Sequence, residues 1–265
     1  MLELEHMNEE KIKKLVIEEY SKDDAQNIYI AKTKKGLWNS EKYFITKYFK
    51  KKNGRILDIG CGTGRTTMPL FKKDYNVIGI DLVPKMIENA KKIAQKEKLD
   101  IDYRIGDVTK LDFKDNSFDY ALFSNQGWTQ IPGEKERFKA LKETHRVLKK
   151  GGIYIFTVHP KIWLNRYFFL WIILWIRFYI LKPSGFKIDE IDFGDRFFKR
   201  GTKQKRWVIN KPKYFFPIPT HIPTKKKVKE QIKKAGFKIL EINDKTQPFK
   251  ERKRKHPPVF YVCEK

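Results

Sequence analysis

Short apolar runs alternate with amphipathic segments along the first 160 residues of the chain. Runs rich in β-branched and aromatic side chains predict strands, and apolar residues that repeat every three or four positions predict helices. Strands are expected near residues 55–60, 76–81, 101–105, 118–123 and 152–158. Helices are expected just after Gly64, from Pro84 to Lys98 and from Glu134 to Lys149. This alternation is typical of an α/β protein whose parallel strands are joined by crossover helices.

The segments that flank this alternating region differ from it. Before it, Glu9–Tyr20 and Ser40–Lys51 predict two helices that we expect to cover a ligand cleft. After the fifth strand the rhythm breaks between Pro160 and Pro223. It then resumes with a helix and two strands, predicted at Thr224–Ala235, Phe237–Ile242 and Val259–Cys263.

A glycine-rich loop follows the first predicted strand, with the sequence Asp-x-Gly-x-Gly-x-Gly from Asp58 to Gly64. Glycines let the chain turn sharply and bring bare backbone close to a ligand. Asp81 lies 21 residues beyond Gly60, at the end of the second strand, where a carboxylate accepts hydrogen bonds from ribose hydroxyls. Such loops also bind dinucleotides, but an acidic residue would repel a pyrophosphate and suits the amino group of a methionine moiety. The glycine-rich loop and Asp81 together predict a nucleoside-binding site.

Five ordered motifs between Gly54 and His159 extend this signature. The motifs are Leu57–Gly64, Asp81–Ile87, Gly106–Val108, Ser117–Phe123 and Arg146–Gly152. With them the chain resembles the class I S-adenosylmethionine-dependent methyltransferases, especially the group that includes the ubiquinone and menaquinone C-methyltransferases.

The resemblance implies a Rossmann-like, doubly wound, seven-stranded α/β fold with an antiparallel last strand and an inserted cap after the fifth strand. It divides the chain into an N-terminal helical cap at 1–53, a methyltransferase domain at 54–160 and 224–265, and an inserted substrate cap at 161–223. Because ligands bind at the carboxyl ends of the strands in such sheets, the insertion is expected to determine substrate choice.

S-adenosyl-L-methionine is the cofactor that the resemblance implies. Gly60 and Gly62 would approach its methionine and ribose portions, Asp58 would organise the loop, and Asp81 would hold the ribose. Leu82 and Met86 would flank the adenine, which Asp107 and the Val108 amide would hydrogen-bond, although Gly106-Asp107 also fits a plain turn. The implied cofactor site comprises Asp58, Gly60, Cys61, Gly62, Asp81, Leu82, Met86, Asp107, Val108 and Asn125.

Methyl transfer from a sulfonium mainly requires that the acceptor be aligned and water excluded, so few catalytic residues are expected. Asn125 follows the fourth strand, where the family places residues that touch both donor and acceptor, and Trp128 would stack on a planar acceptor or line the pocket mouth. The Asn/Asp-Pro-Pro-Tyr/Phe and Pro-Cys sequences of the enzymes that methylate exocyclic amines, glutamine amides or pyrimidine C5 are absent from this position.

An acceptor that must lose a proton needs a base, for which histidine titrates in a suitable range. His159, at the end of the fifth strand, is the first candidate and His221 the second, and each has a purely structural interpretation as the alternative. No group of residues has the sequence spacing of metal ligands.

Charge raises the question of a second kind of partner. The chain has a net charge of +26, and residues 161–265 carry 27 lysines and arginines against 9 acidic residues. Such a field attracts RNA or anionic lipid, and Lys250–Lys255 is a basic cluster. Lysine outnumbers arginine, however, as compositional bias would also produce.

The aromatic stretch 162–181 has three interpretations: a cap helix packed on the core, an oligomer interface, or a membrane-surface contact. Its uncharged part, Tyr167–Ile176, is ten residues long, about half of what crosses a bilayer. The two cysteines indicate neither disulfides nor a zinc site. Because the N-terminus also lacks a secretory signal, a cytoplasmic protein is expected, with peripheral membrane contact as the alternative.

Together these features predict an S-adenosylmethionine-dependent methyltransferase (EC 2.1.1) that acts on a small acceptor, with an apolar one favoured by the aromatic insertion. One alternative is an RNA (tRNA) methyltransferase that uses the basic C-terminal surface. A second is a non-catalytic RNA- or membrane-binding protein on the same fold.

Overall fold

The computed structural model of the chain describes residues 8–159, 168–186, 188, 190–198, 218–244 and 258–265. The first residues of the chain, the start of the aromatic stretch at 162–167 and the basic cluster Lys250–Lys255 lie outside the described residues.

Nine strands and eight α-helices are present in the described residues. The strands are β1 Arg55–Ile59, β2 Asn76–Asp81, β3 Asp102–Ile105, β4 Phe118–Phe123, β5 Leu148–Val158, β6 Asp195–Phe198, β7 Ile218–His221, β8 Lys238–Asn243 and β9 Val259–Glu264. The helices are α1 Glu9–Ser21, α2 Asp23–Thr33, α3 Asn39–Tyr48, α4 Thr67–Phe71, α5 Pro84–Lys96, α6 Glu134–Val147, α7 Phe168–Ile176 and α8 Lys225–Lys234. A 3₁₀ turn spans Gly127–Gln130, and α7 continues as a π-helix over Arg177–Leu181.

Seven strands form one sheet in the order β3-β2-β1-β4-β5-β9-β8. β1 to β5 pair in parallel, and β9 runs antiparallel to both of its neighbours. This arrangement confirms the predicted doubly wound fold. The central strands β1, β2, β4, β5 and β9 are mostly buried, because helices cover both faces of the sheet, whereas the edge strands β3 and β8 are more exposed. The carboxyl ends of β1, β2 and β4 therefore meet at one edge, where a ligand can bind.

The boundary between α6 and β5 and the presence of α2 are the main differences from the sequence prediction, and other helix ends shift by one to three residues. β5 begins at Leu148, which pairs with Phe118 before a register shift, so α6 ends at Val147 rather than at Lys149. α2 was not predicted, because its sequence lacks a repeating apolar face. Instead, Gln26 of α2 is buried and donates a hydrogen bond to the Tyr20 carbonyl.

The inserted segment contributes α7, its π-helical extension and a small antiparallel sheet of β6 and β7. β7 packs against the 3₁₀ turn that follows β4 and against α1, so this sheet lies beside the carboxyl edge of the large sheet. None of the described helices combines the length and apolar character that crossing a membrane requires.

Candidate functional site

The glycine loop between β1 and α4 adopts backbone conformations that favour glycine. Gly60, Gly62 and Gly64 have φ angles of +62°, +55° and +91°. A Cβ at Gly60 would lie 2.7 Å from the ring of Phe123, so a side chain there would also clash with the end of β4. The loop thus brings bare backbone into the cleft between β1 and β4.

Asp58 lies beneath this loop and organises it. Its buried Oδ2 accepts hydrogen bonds of 2.6 Å from the hydroxyls of both Thr66 and Thr67. Burial raises the pKa of Asp58 to about 6, against the effect of these two donors. The carboxylate is therefore enclosed by the start of α4 and does not line the cleft.

Asp81 occupies the end of β2 and faces the cleft. Its Oδ2 accepts a hydrogen bond from the Gly62 amide at 2.8 Å, and its Oδ1 accepts one from the Val83 amide at 2.9 Å. Burial raises the pKa of this carboxyl to about 6. Each oxygen retains a lone pair, so the group can also accept hydrogen bonds from a vicinal diol.

A single cleft brings together most of the residues that the sequence suggested for a cofactor site. Its lining also includes the apolar Ile59, Val83, Phe123, Ile131 and Pro132. The sequence-predicted residues in the lining are Gly60, Gly62, Asp81, Leu82, Met86, Asp107, Val108 and Asn125.

Asp107, at the far side of the cleft, is held by three donors. Lys13 Nζ lies 2.8 Å from its Oδ2, while the amide and hydroxyl of Thr109 donate to its Oδ1 at 2.8 and 2.7 Å. Burial acts to raise the pKa of Asp107, but these donors hold it below the ordinary value. The bonds to Thr109 two residues on are those of a turn, while the exposed part of the carboxylate faces the cleft.

The N-terminal helices supply residues to the site that the sequence did not identify. Lys13, Val16, Tyr20 and Tyr29 line the cleft. The Tyr20 hydroxyl donates to Gln130 Oε1 at 2.8 Å, which joins α1 to the 3₁₀ turn across the cleft. The apolar spacing of Ile12, Val16 and Tyr20 is a sequence signal for the buried face of α1, but it does not show what that face covers.

The loop after β4 is strained at the cleft. Asn125 and Gln126 have φ angles of +52° and +58°, which non-glycine residues seldom adopt. The Gln126 amide is held by a 2.8 Å hydrogen bond to Thr157 Oγ1 of β5. In this loop conformation Asn125 lines the cleft.

Several other candidates lie outside the cleft lining. The buried Cys61 thiol contacts its own loop at the Gly62 carbonyl and lies near Gly79 of β2. Trp128 is 1% exposed and packs on Phe156 in the core, so it neither stacks on a ligand in this cleft nor lines its mouth. His159 is half-buried just beyond β5, and burial lowers its pKa.

His221 belongs to a buried cluster that the sequence spacing did not show, because the pairing of β6 with β7 forms it. Its Nδ1 lies 2.8 Å from Asp195 Oδ1. His221, Asp195 and Asp192 each offer one nitrogen or oxygen atom that could bind a metal ion, and these three atoms lie within 4.8 Å of one another. Arg137 Nη2 donates to Asp192 at 2.5 Å. The guanidinium supplies the positive charge that these carboxylates require, and it ties the insertion to α6.

Binding of a nucleoside to this cleft is expected to depend on pH below about 7. Ribose hydroxyls donate to the ionised form of Asp81, whose pKa in the free protein is raised to about 6. The affinity for S-adenosylhomocysteine should therefore be constant above pH 7 and fall about tenfold by pH 5. Titration calorimetry at several pH values measures this.

The Asp81→Asn variant is the control for this pH dependence, and a fall as large as that of the parent would assign the titration elsewhere. Asp58, with a pKa also raised to about 6, is tested separately by Asp58→Asn.

Comparison with known proteins agrees with this geometry. A family described as "Methyltransferase domain" matches residues 56–152. The ubiquinone biosynthesis O-methyltransferase of Pelagibacter ubique is 39% identical over 102 residues, which are 38% of this chain and 40% of that protein. The demethylmenaquinone methyltransferase of Staphylococcus aureus is 38% identical over 109 residues, 40% of this chain and 43% of that protein.

Solved structures extend the likeness beyond the matched segment. A methyltransferase of Methanosarcina mazei described as S-adenosylmethionine-dependent is 24% identical, with a TM-score of 0.64 over 87% of this chain and 98% of its own. The 1,6-didemethyltoxoflavin-N1-methyltransferase of Burkholderia thailandensis, solved with S-adenosylhomocysteine bound, is 14% identical. Its TM-score is 0.64, over 100% of this chain and 93% of its own. At these identities the likeness establishes the fold.

The fold and the cleft define a class I methyltransferase architecture. Residues 56–152 match the methyltransferase-domain family, and they resemble the class I S-adenosylmethionine-dependent methyltransferases. The chain spans about two fifths of the length of the curated relatives that it matches.

Proposed function

We propose that this protein transfers a methyl group from S-adenosylmethionine to a small, apolar acceptor. The observation that carries the proposal is one cleft in which the glycine loop, Asp81, Asp107 and Asn125 face apolar side chains. Glycine backbone, a carboxylate for a diol and apolar side chains for a flat base are the groups that a nucleoside requires.

The residues present fit the cofactor at each of its parts. Asp81 would hold the ribose hydroxyls, because its carboxylate is already oriented by two backbone amides. Leu82 and Met86 would flank the adenine, and Asp107 and the Val108 amide would form hydrogen bonds with its edge. When bound, the cofactor supplies a methyl group activated by a sulfonium. The protein then has to orient the acceptor and exclude water.

The part of the cleft that we assign to the acceptor is largely apolar. Tyr20, Phe123, Ile131 and Pro132 line it, and the hydrogen bond between Tyr20 and Gln130 closes it on one side. These surroundings favour a planar or apolar small molecule over a nucleic-acid strand, which needs an open basic groove. The relatives named for ubiquinone and menaquinone support the same acceptor class.

The described residues support the predicted division of the chain into caps and core. We infer a helical cap over the cofactor in the predicted region 1–53, since α1 and α2 contribute to the cleft lining. The predicted substrate cap at 161–223 is supported by β7, which packs against α1 and against the 3₁₀ turn beside the cleft. A base role for His159 stays a prediction, since neither it nor another histidine lines the cleft among the residues that the structure describes.

The test is transfer of labelled methyl from S-adenosylmethionine into a methyl-depleted cell extract, followed by partition into organic and nucleic-acid fractions. We expect label in the organic fraction with the parent protein and none with Asp81→Ala. Label in RNA would overturn the acceptor class. Tight binding of S-adenosylhomocysteine without transfer to any fraction would overturn the enzymatic assignment.

A further inference from the structure

The inserted segment carries most of the exposed apolar surface of the described chain. Of the eleven large hydrophobic residues exposed among the described residues, eight lie between 169 and 186. Five of them repeat at helical spacing on one side of α7 and its π-helical extension. We call these residues, Phe169, Ile172, Ile173, Ile176 and Ile180, the α7 face.

The helix that bears the α7 face is anchored on its opposite side. Trp171 is 8% exposed and lies 6.2 Å from the ring of Phe193, which also contacts Phe178 and Tyr179. The neighbouring Asp192 accepts from Arg137, and Ile191 packs against the α1 and α5 cluster beside the cleft. These contacts therefore hold the α7 face in a defined position, on the side of the molecule where the cleft lies.

Basic residues outnumber acidic ones around the α7 face, although Glu190 lies 3.5 Å from Nη2 of Arg177. Residues 168–186 contain no aspartate or glutamate but include Arg177 and Lys182. A small cavity separates Trp175 and Tyr179 from Lys227 of α8. Lys227 pairs with Glu134 at 3.7 Å, whereas Lys226 and Lys229 of the same helix are exposed and form no ion pair with another residue in the part of the chain described. The apolar and interfacial aromatic side chains thus lie beside a basic helix.

We propose that the α7 face docks on the surface of an anionic phospholipid bilayer. Isoleucine and phenylalanine side chains would enter the boundary of the acyl chains, while Trp175, Tyr179 and the lysines of α8 would meet the headgroups. α7 with its π-helical extension spans 14 residues, too few to cross a bilayer, which takes about 20 residues, but suited to lying in its interface.

The surroundings of the α7 face favour a bilayer over a second copy of the chain or an RNA strand. A second copy of the chain would bring like charges together around the face, in a protein with a net charge of +26. An RNA strand would meet aliphatic side chains that neither stack on bases nor pair with phosphates. An anionic bilayer satisfies both the apolar face and its basic surroundings. The inference does not depend on methyl transfer.

The experiment is flotation of the full chain, without cofactor, with vesicles of phosphatidylcholine alone or mixed with phosphatidylglycerol. We expect the parent to float with the anionic vesicles and to be released by high salt. Ile173→Glu with Ile176→Glu should reduce binding at least about tenfold. The matched control is Ile28→Glu with Ile105→Glu, which changes two exposed isoleucines elsewhere and alters the charge equally.

A second pair of variants tests the charges. Lys226→Gln with Lys229→Gln should lower binding to anionic vesicles about tenfold, whereas Lys91→Gln with Lys96→Gln, on exposed α5 positions, should leave it near the parent value. Circular dichroism melts verify that each variant is folded. Absence of flotation, or flotation that the α7 variants leave unchanged, would overturn the proposal. So would a stable dimer that Ile173→Glu with Ile176→Glu converts to monomer, without any vesicle binding by the parent.

Discussion

Replacing Asp81 by alanine is expected to weaken binding of S-adenosylhomocysteine on the order of 100-fold. The variant removes the acceptor for two ribose hydroxyls, and each hydrogen bond to a charged group contributes about 1.5–3 kcal/mol. It also leaves the amides of Gly62 and Val83 without the carboxylate that holds them. Isothermal titration calorimetry at pH 7.5, where the carboxyl is ionised, measures the effect.

Two further variants separate ligand recognition from loop integrity. Asp81→Asn keeps one side-chain oxygen for a backbone amide, so its melting temperature should stay near that of the parent. Its affinity for S-adenosylhomocysteine should nevertheless be as low as that of Asp81→Ala. Asp100→Ala changes an exposed aspartate at the amino end of β3, opposite the cleft edge, and should bind as the parent does. Parental affinity in Asp81→Ala would remove Asp81 from the site and with it the main support for the cofactor assignment.

The second large effect is expected from Glu41, a buried carboxylate that links α3 to the glycine loop. Glu41 is 1% exposed, and its two oxygens accept from Arg65 Nη1 and Nη2 at 2.7 Å each. It also accepts from the Trp38 amide and from the Ser124 hydroxyl beside Asn125. Glu41→Ala would leave the Arg65 charge buried without its partner, which costs about 3–5 kcal/mol of the free energy of unfolding. Urea denaturation measures the loss.

The remaining variants test whether the orphaned charge is the cause. Glu41→Leu with Arg65→Met removes both charges and should recover most of the stability, because a buried ion pair is often no better than apolar residues of similar volume. Glu97→Ala breaks the exposed pair with Lys72 and should cost at most about 1 kcal/mol. If Glu41→Ala were no more destabilising than Glu97→Ala, the network would contribute little to the free energy of unfolding.

This network also explains how a region outside the family match affects the site. Arg65 follows the last glycine of the loop, and Ser124 precedes Asn125, so the Glu41 carboxylate joins the ends of β1 and β4 from α3. Thr33 of α2 adds a second link through a 2.6 Å contact with Thr63. The N-terminal helices therefore help to hold the glycine loop in its conformation.

Much of the sheet and of the cleft lining was predictable from local sequence. The apolar runs that end at Ile59, Asp81 and Phe123 are strands because buried parallel strands must be continuously apolar. The glycines of the loop are required where positive φ angles and the approach of Phe123 exclude a side chain. The position of Asp81 follows from strand length alone, since the carboxyl ends of parallel neighbours coincide.

Residues that reach the cleft from a distance were not predictable in this way. α2 has no periodic apolar face, because its burial depends on polar contacts such as those of Gln26 and Thr33 with other segments. Trp128 was placed correctly along the chain, but its side chain packs into the core, since the 3₁₀ turn after Gln126 directs it onto Phe156. Side-chain direction after such a turn depends on tertiary contacts.

By itself the sequence determined which segments form the strands of the large sheet, the turn at the glycine loop and the acidic residue at the end of β2, because these follow from short-range backbone geometry and apolar periodicity. Only the tertiary structure decided that Lys13 pairs with Asp107, that Tyr20 closes the cleft through Gln130, and that the α7 face stays exposed. The two hydrogen bonds join residues that are 94 and 110 positions apart in the chain. Their positions depend on how whole helices pack, a property that no local pattern in the chain encodes.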